Sequence, residues 1–184
     1  FDPMRGIVAD NTDAYGFRES LRAGAPGWRA ETGPAVVLGA GGAARAVVHA
    51  LSGAGVPEIR IANRTRAKAD ALAAMARGPA QAVDWEARDA ALADAALLVN
   101  TTALGMTGKA PLEIRLDALP VDATVLDIVY VPLETPLLAA ARARGAVAVD
   151  GLGMLLHQAR PAFRAWFGDD PAVTGALRAA CLKA

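Results

Sequence analysis

Small residues spaced as G-x-G-x-x-A follow a run of four apolar residues in the first third of the chain. They are Gly39, Gly41 and Ala44, after Ala35–Leu38 and before an alanine-rich helical pattern. In this spacing the first glycine permits a tight turn, the second lets a pyrophosphate approach the backbone, and the third small residue lets the helix pack closely on the strand. The helix start also offers free N–H groups to phosphate oxygens. The pattern therefore predicts a dinucleotide site, although small residues here also serve ordinary strand–helix packing. The predicted contacts are Gly39, Ala40, Gly41, Gly42 and Ala43.

The residues after the second predicted strand indicate which nicotinamide cofactor this site favours. In an NAD site an Asp or Glu about 20 residues past the glycines accepts hydrogen bonds from the ribose hydroxyls. Here the strand Glu58–Ala62 is followed by no acid, and Arg64 can bind a 2′-phosphate bidentately. We therefore predict NADP rather than NAD. The residues predicted to hold its phosphate are Asn63, Arg64, Thr65, Arg66 and Lys68. Arg66 and Lys68 fit equally well in the solvated first turn of a helix.

Polar residues at three further places are candidates for ligand contacts. Asn11 and Asp13 lie where a helical pattern begins, and there they could hold the hydroxyls of a ligand. The alternative is ordinary capping of the helix by Asp10, Asn11 or Thr12. Thr102 follows another apolar run, and ligands of parallel sheets bind at the carboxyl ends of strands, although a plain polar turn fits there too. Gln158 interrupts an apolar helical face, so its amide either contacts a ligand or bonds to nearby backbone.

Strand and helix patterns alternate from Ala35 to Val149. Parallel strands joined by right-handed helical connections form a doubly wound sheet. The predicted fold class is therefore α/β, a Rossmann-like sheet of six parallel strands with flanking N- and C-terminal helices. The strands are predicted at 35–38, 58–62, 80–83, 96–100, 123–129 and 147–149, and the helices at 13–23, 42–53, 67–77, 86–93, 136–144, 154–167 and 171–182. Pro161 is expected to kink its helix or begin a new one. The predicted regions are 1–24, a linker and helix, 34–150, the NADP-binding domain, and 151–184, the C-terminal helices returning toward the substrate cleft.

Composition excludes several classes of function. The 184 residues carry 19 basic and 19 acidic side chains with no basic tract, which argues against a nucleic-acid partner. One cysteine and two distant histidines predict neither a disulfide framework nor a metal site. We find no signal-peptide pattern and no apolar run long enough to span a bilayer, so the expectation is a soluble cytoplasmic protein without a membrane partner.

Several separated motifs together resemble the shikimate dehydrogenase family. Their order and spacing are more specific than any one of them, and they cover the chain from about Gly6 to Phe167. The motifs are Asn11-Thr12-Asp13 with Gly16-Phe17, Gly39 to Ala44, Asn63-Arg64-Thr65 with Lys68, Asn100-Thr101-Thr102 with Leu104-Gly105-Met106, Asp127 with Tyr130, Thr135-Pro136-Leu137-Leu138, and Gly151-Leu152-Gly153-Met154 with Gln158.

The resemblance implies an enzyme that reversibly reduces 3-dehydroshikimate to shikimate with NADPH, in aromatic amino-acid biosynthesis. It implies that Asp13 belongs to a catalytic Lys–Asp pair and that Tyr130 and Gln158 contact the substrate. Ile128 and Gly151 would line the cofactor site together with the residues named above.

One departure from the family pattern concerns the catalytic lysine. Family members carry a substrate-binding domain before the Asn11-Thr12-Asp13 motif, and that domain supplies the lysine. The only lysines here are Lys68 in the cofactor motif, Lys109 in a predicted loop and Lys183 near the chain end. We therefore expect this chain to bind NADP(H) with little or no turnover, as the cofactor-binding portion of such an enzyme. Apolar residues exposed by the truncation would favour self-association, so a monomer or a homodimer is expected.

Two alternatives stay open. One is a quinate/shikimate dehydrogenase relative with a looser choice of substrate or cofactor, and the other is a catalytically silent NADP-binding module. A severed enzyme should regain activity when its missing domain is supplied separately, whereas a dedicated binding module should not.

Overall fold

A six-stranded, all-parallel sheet forms the centre of the molecule, in a computed structural model that describes residues 4, 6 and 9–183. The strands are β1 (Ala35–Leu38), β2 (Ile59–Ala62), β3 (Ala80–Val83), β4 (Leu97–Asn100), β5 (Thr124–Asp127) and β6 (Val147–Val149). Their order is β3-β2-β1-β4-β5-β6, so the connection reverses direction between β1 and β4. This order confirms the predicted doubly wound fold and puts the topological switch beside β1.

The strand register brings the functional ends of the central strands to one level. Leu38, the last residue of β1, pairs with Ala62 of β2 on one side and with Asn100 of β4 on the other. Asn100 in turn pairs with Asp127, the last residue of β5. The residues that follow these four strands therefore meet along one edge of the sheet.

Six helices connect or flank the strands in the described part of the chain. They are α1 (Asp13–Gly24), α2 (Gly42–Ala54), α3 (Arg66–Ala74), α4 (Pro136–Ala143), α5 (Gly151–Phe167) and α6 (Gly175–Cys181). Short 3-10 turns lie at Ala30–Thr32, Trp85–Ala87 and Ala90–Leu92.

Several predicted boundaries were wrong. The helix predicted at 86–93 is replaced by two 3-10 turns, because Leu92 is its only fully buried side chain and a helix there would have no continuous apolar face to pack. The fifth strand ends at Asp127 rather than Val129, because the Asp127 carboxylate accepts the Val129 N–H at 3.0 Å. The last helix begins at Gly175, where the Thr174 hydroxyl caps it. One helix passes through Pro161, so no new helix begins there.

Apolar side chains cover both faces of the sheet. On one face Phe17 of α1, Val47 of α2 and Met154 of α5 join a buried cluster with Val37 of β1. On the other face Leu138 of α4 packs into a second cluster. Every residue of β1 is fully buried, as expected for a strand covered on both faces, and this explains its uninterrupted apolar sequence.

Candidate functional site

The turn after β1 has a geometry that only glycine adopts without strain. Gly39 has a φ of +104°, and a side chain there would come within 2.7 Å of the Thr101 hydroxyl oxygen. That hydroxyl donates to the Leu38 carbonyl at 2.6 Å, so it is held in place against the turn. Glycine is therefore needed at this position for two reasons: the backbone has a positive φ, and the loop after β4 comes too close for a side chain.

The start of α2 is open above the turn. Gly41 caps the helix with no side-chain hydrogen bond, and a Cβ on either Gly41 or Gly42 would meet nothing within 4 Å. Ala44 is fully buried against the sheet. Gly39 thus forms the turn, Gly41 leaves the helix start open, and Ala44 packs against the sheet, as expected for a phosphate-binding turn.

The cationic segment after β2 separates into two groups. Arg66 donates to Asp84 at 2.8 Å and to Asp70 at 3.0 Å, and these hydrogen bonds, Asp84 first, raise its pKa. By contrast, the side chains of Arg64 and Lys68 make no hydrogen bond or ion pair with any described residue. Of the predicted cations, Arg64 and Lys68 are therefore free to meet an anion, and Arg66 is already neutralised.

Backbone geometry in the same segment is organised by Asn63. Its side-chain amide donates to the Thr65 carbonyl at 2.9 Å, which holds the turn between β2 and α3. Thr65 caps α3 without a hydrogen bond from its own side chain. Its hydroxyl therefore stays available at the exposed helix start.

A buried polar network joins the ends of β4 and β5. The Asn100 amide donates to Asp127 at 2.9 Å, while its oxygen accepts from the N–H and the hydroxyl of Thr102 at 3.0 and 2.8 Å. Asp127 also accepts from the Val129 N–H and, at 2.8 Å, from the Thr135 hydroxyl. Asn100 and Asp127 are almost entirely buried. This network positions Thr102 and the segment after β5, where cofactor contacts are predicted.

Burial dominates the electrostatics of Asp127. It raises the pKa of this carboxyl, and the hydrogen bonds from Thr135, Val129 and Asn100 act in the opposite direction. Sequence reasoning named Asn100, Asp127 and Thr135 only as parts of motifs. The signal that could have identified the network is a polar residue closing each of two adjacent buried strands.

The start of α5 lies directly against the end of β5. A Cβ on Gly151 would overlap the carbonyl of Ile128, and the Gly151 N–H donates to Val129 O at 3.3 Å. The Ile128 N–H donates to Asn100 O at 3.1 Å. The structure therefore brings Ile128 and Gly151, two predicted cofactor contacts, into direct contact with each other.

Helices α1 and α5 cross at a glycine. A Cβ on Gly16 would lie 2.7 Å from Gln158 Cβ and 2.8 Å from the Met154 carbonyl oxygen. Asp13 lies almost one turn before Gly16, so the first turn of α1 and Gln158 share one region of the molecule. Gln158 is half-buried, and its amide makes no hydrogen bond within the described residues, which leaves it free for a ligand.

Among the candidate capping residues before α1, Asn11 is the one whose side chain bonds to the start of the helix. Its side-chain oxygen accepts the Asp13 N–H at 2.9 Å, while Thr12, at the cap position, makes no side-chain hydrogen bond. Asn11 is therefore a helix-start residue, and its side-chain nitrogen, Nδ2, makes no hydrogen bond within the described residues. Asp13 opens α1 with its carboxylate unpaired in the same residues.

Tyr130 lies in the exposed segment after β5, next to a cis peptide bond between Val131 and Pro132. The Thr107 N–H donates to the Val131 carbonyl at 2.9 Å, so the segments after β4 and β5 are tied together. The Tyr130 ring is about two-fifths exposed and available for contact.

A cavity lies at the opposite, amino-terminal edge of the sheet. It measures about 750 Å³, and Trp28, Asp94 and Thr124 are among the residues that line it.

Within residues 4, 6 and 9–183 no group of three acidic, His or Cys side chains could hold a metal ion. None of the helices in that same part of the chain combines the length and apolarity that crossing a membrane requires.

The switch beside β1, the glycine turn and the open helix start define a doubly wound α/β protein of the Rossmann class, whose topology binds dinucleotides at this edge. A family described as Shikimate / quinate 5-dehydrogenase matches residues 27–107, and one described as Shikimate 5'-dehydrogenase C-terminal domain matches residues 151–181. The shikimate dehydrogenase (NADP(+)) of Paramagnetospirillum magneticum is 62% identical over 173 residues. The chain belongs to the shikimate dehydrogenase family.

Two solved structures extend the comparison. The quinate dehydrogenase of Corynebacterium glutamicum in complex with NAD superposes with a TM-score of 0.85 at 36% identity, over 95% of this chain and 63% of that one. The shikimate 5-dehydrogenase of Thermus thermophilus in complex with NADP(H) and shikimate gives 0.80 at 40% identity, over the same shares. The match to the Paramagnetospirillum protein covers 94% of this chain and 63% of that relative. The chain thus spans a little less than two thirds of the length of the relatives it matches.

Proposed function

We propose that this chain carries the cofactor site and part of the substrate site of an NADP(H)-dependent shikimate dehydrogenase, an enzyme that interconverts 3-dehydroshikimate and shikimate. The observation that carries the proposal is the pair of unpaired cations, Arg64 and Lys68, beside an open glycine turn with no acid at the end of β2. A carboxylate there would repel a 2′-phosphate, whereas these side chains attract one. The relative named as an NADP(+) enzyme supports the same choice.

Each predicted side chain has a role in this proposal. The N–H groups of the turn from Gly39 to Ala43 and the start of α2 hold the pyrophosphate. Asn63, Arg64, Thr65 and Lys68 hold the 2′-phosphate, whereas Arg66 is already paired with Asp70 and Asp84. Thr102, Ile128 and Gly151 line the nicotinamide end. When bound, NADP(H) supplies or accepts the hydride.

The substrate is held from the α1–α5 side of the site. Asn11, Tyr130 and Gln158 orient its hydroxyls, and their free polar groups support this assignment. Asp13 is the carboxylate that orients a lysine acting as general base at the substrate hydroxyl. The lysines of this chain are Lys68 on α3, Lys109 in the loop after β4 and Lys183 after α6, and none of them forms an ion pair with Asp13 within the described residues.

The expected setting is the cytoplasm, with a small-molecule substrate and a monomer or homodimer as the assembly. The lone cysteine, Cys181, is exposed and free, which suits a reducing compartment.

Nucleotide titration by calorimetry tests the cofactor proposal. We expect the purified chain to bind NADP at least about tenfold more tightly than NAD, because a dianionic phosphate meets two free cations. Equal affinity for the two nucleotides would contradict it.

Activity is tested by shikimate-dependent NADPH formation, with and without the part of the Paramagnetospirillum relative that this chain does not match. We expect the chain alone to turn over about two to four orders of magnitude more slowly than the mixture, because general acid–base catalysis contributes that much. A mixture that binds NADP yet stays inactive would favour a catalytically silent NADP-binding module.

The quinate alternative is supported by the Corynebacterium neighbour, which is a quinate dehydrogenase solved with NAD. It predicts turnover of quinate with NAD in the same mixture. Activity restricted to shikimate and NADP would exclude it.

A further inference from the structure

Arg45, in the second turn of α2, is a cation that has no role in the nucleotide site described above. Its side chain is exposed and makes no hydrogen bond or ion pair with any described residue. It lines a cavity of about 340 Å³ between α2 and α3, together with Gly41 and Gly42 at the glycine turn. Lys68 lines the same cavity from α3.

The charge of this cavity is uncompensated. Arg45 and Lys68 are the two cations that line it, and no carboxylate lines it. Two like charges facing one space repel each other unless an anion lies between them. Arg66, only two residues before Lys68, shows the contrast, because Asp70 and Asp84 neutralise it.

A phosphate monoester is the kind of ligand that matches the two cations of this cavity. Arg offers a fork of N–H donors that matches phosphate oxygens, and Lys adds a compact charge. The position beside the glycine turn and the end of β2 is where the adenosine ribose of a dinucleotide lies in this fold.

We propose that Arg45 is a specificity-determining residue of the nucleotide site, which binds the 2′-phosphate of NADP together with Lys68. This inference rests on the proposed function and adds to it a residue on α2. Arg66 takes no part in phosphate binding, because its guanidinium is already paired with two carboxylates.

Calorimetric titration of the 184-residue chain and its Arg45→Gln variant tests the proposal. The ligands are NADP, NAD, adenosine 2′,5′-bisphosphate and inorganic phosphate. We expect the variant to bind NADP and the bisphosphate about five- to thirtyfold more weakly, and NAD within about twofold of the wild type. Arg18→Gln is the matched control, because Arg18 is an exposed arginine on α1 whose side chain has no partner in the described residues. It should leave all four affinities unchanged.

Three results would overturn the role of Arg45. They are equal weakening of NADP and NAD, an unchanged affinity for NADP, and loss of inorganic phosphate binding with NADP binding retained. If the wild type prefers NADP and the variant keeps that preference, the proposed function stands and this inference fails. If the wild type binds NADP and NAD with equal affinity, both the proposed function and this inference fail. Should Arg45→Gln fold poorly, Arg45→Lys replaces it, with a smaller loss of NADP affinity expected because the charge is kept and the fork is lost.

Discussion

Two residues at the carboxyl edge of the sheet illustrate how strictly single positions are constrained. Gly39 combines a positive φ with a contact that leaves no space for a side chain. Asp127 is an almost fully buried carboxyl held by three hydrogen bonds. Both lie next to predicted cofactor contacts, so changes at either residue should affect the site as well as the stability of the fold.

Gly39→Ala should be strongly destabilising. An alanine would adopt a left-handed conformation and press against the Thr101 hydroxyl, so we expect a loss of about 2–3 kcal/mol in the free energy of unfolding. Urea unfolding measures this loss. Gly53→Ala in α2 is the control, because a Cβ there meets open space, and it should stabilise by about 0.5–1 kcal/mol. Similar values for the two variants would contradict the account of the turn.

Asp127→Asn tests the buried network through pH. Burial raises the pKa of Asp127, so the folded state binds its proton more tightly than the unfolded state does. Its contribution to the free energy of unfolding therefore falls as pH rises from about 4 through the folded-state pKa. We expect the wild-type-minus-variant difference to decline over that range, with a slope below about 1.4 kcal/mol per pH unit. Urea titrations at several pH values measure it, and a constant or rising difference would show that the folded-state pKa is not raised.

Helices α1 and α5 act as a pair, because glycines allow them to approach each other closely. Gly16 of α1 touches the backbone of α5 beside Gln158, and Gly153 of α5 lies against Ser20 of α1. Gly151 joins the start of α5 to the end of β5. The distance between the predicted substrate contacts on α1 and α5 is thus determined by helix packing rather than by loops.

Gly16→Ala should separate the two helices. The added Cβ would come within 3 Å of the Met154 carbonyl and the Gln158 nitrogen, which are backbone atoms that cannot rotate away. We expect a loss of about 1–3 kcal/mol in the free energy of unfolding, despite the higher helix propensity of alanine. Chemical unfolding measures it, again with Gly53→Ala as the matched substitution. A stabilised Gly16→Ala protein would mean that α1 and α5 are not held this closely.

The molecule as a whole leaves an aromatic surface exposed at the end of α5. Phe163, Trp166 and Phe167 form it, with Trp166 76% and Phe167 66% exposed. Large exposed apolar groups favour association. Met154, Phe163 and Trp166 belong to the apolar helical face that Gln158 interrupts, and only Met154 of these three is buried.

Self-association of the chain is therefore expected to depend on this surface. Sedimentation equilibrium should show a weight-average mass that rises with concentration for the wild type and less so for the Trp166→Ser/Phe167→Ser double variant. The physical reason is that burying a large apolar side chain in the contact between two copies contributes about 1.5–3 kcal/mol to the free energy of association, and serine removes that contribution. A wild type that stays monomeric at its highest soluble concentration would disprove this prediction.

Local signals carried much of the fold. The apolar runs of the strands and the glycines after β1 depend on neighbours within a few residues, and both lie where they were expected. Helix ends and the segment 86–93 were less predictable, because burial by distant elements decides whether a short amphipathic stretch completes a helix.

The alternation of strands and helices, the glycine turn and the absence of an acid after β2 could be read from the chain alone, because each is a local sequence pattern. The sequence alone could not show which cations are free of ion pairs. Arg66 is neutralised by Asp84, 18 residues away, and Asn100 meets Asp127 only because β4 and β5 are neighbours. Contacts of this kind depend on how strand ends assemble in three dimensions. The tertiary structure therefore decided the network that supports the site, the place of Arg45 beside Lys68 and the exposure of the aromatic end of α5.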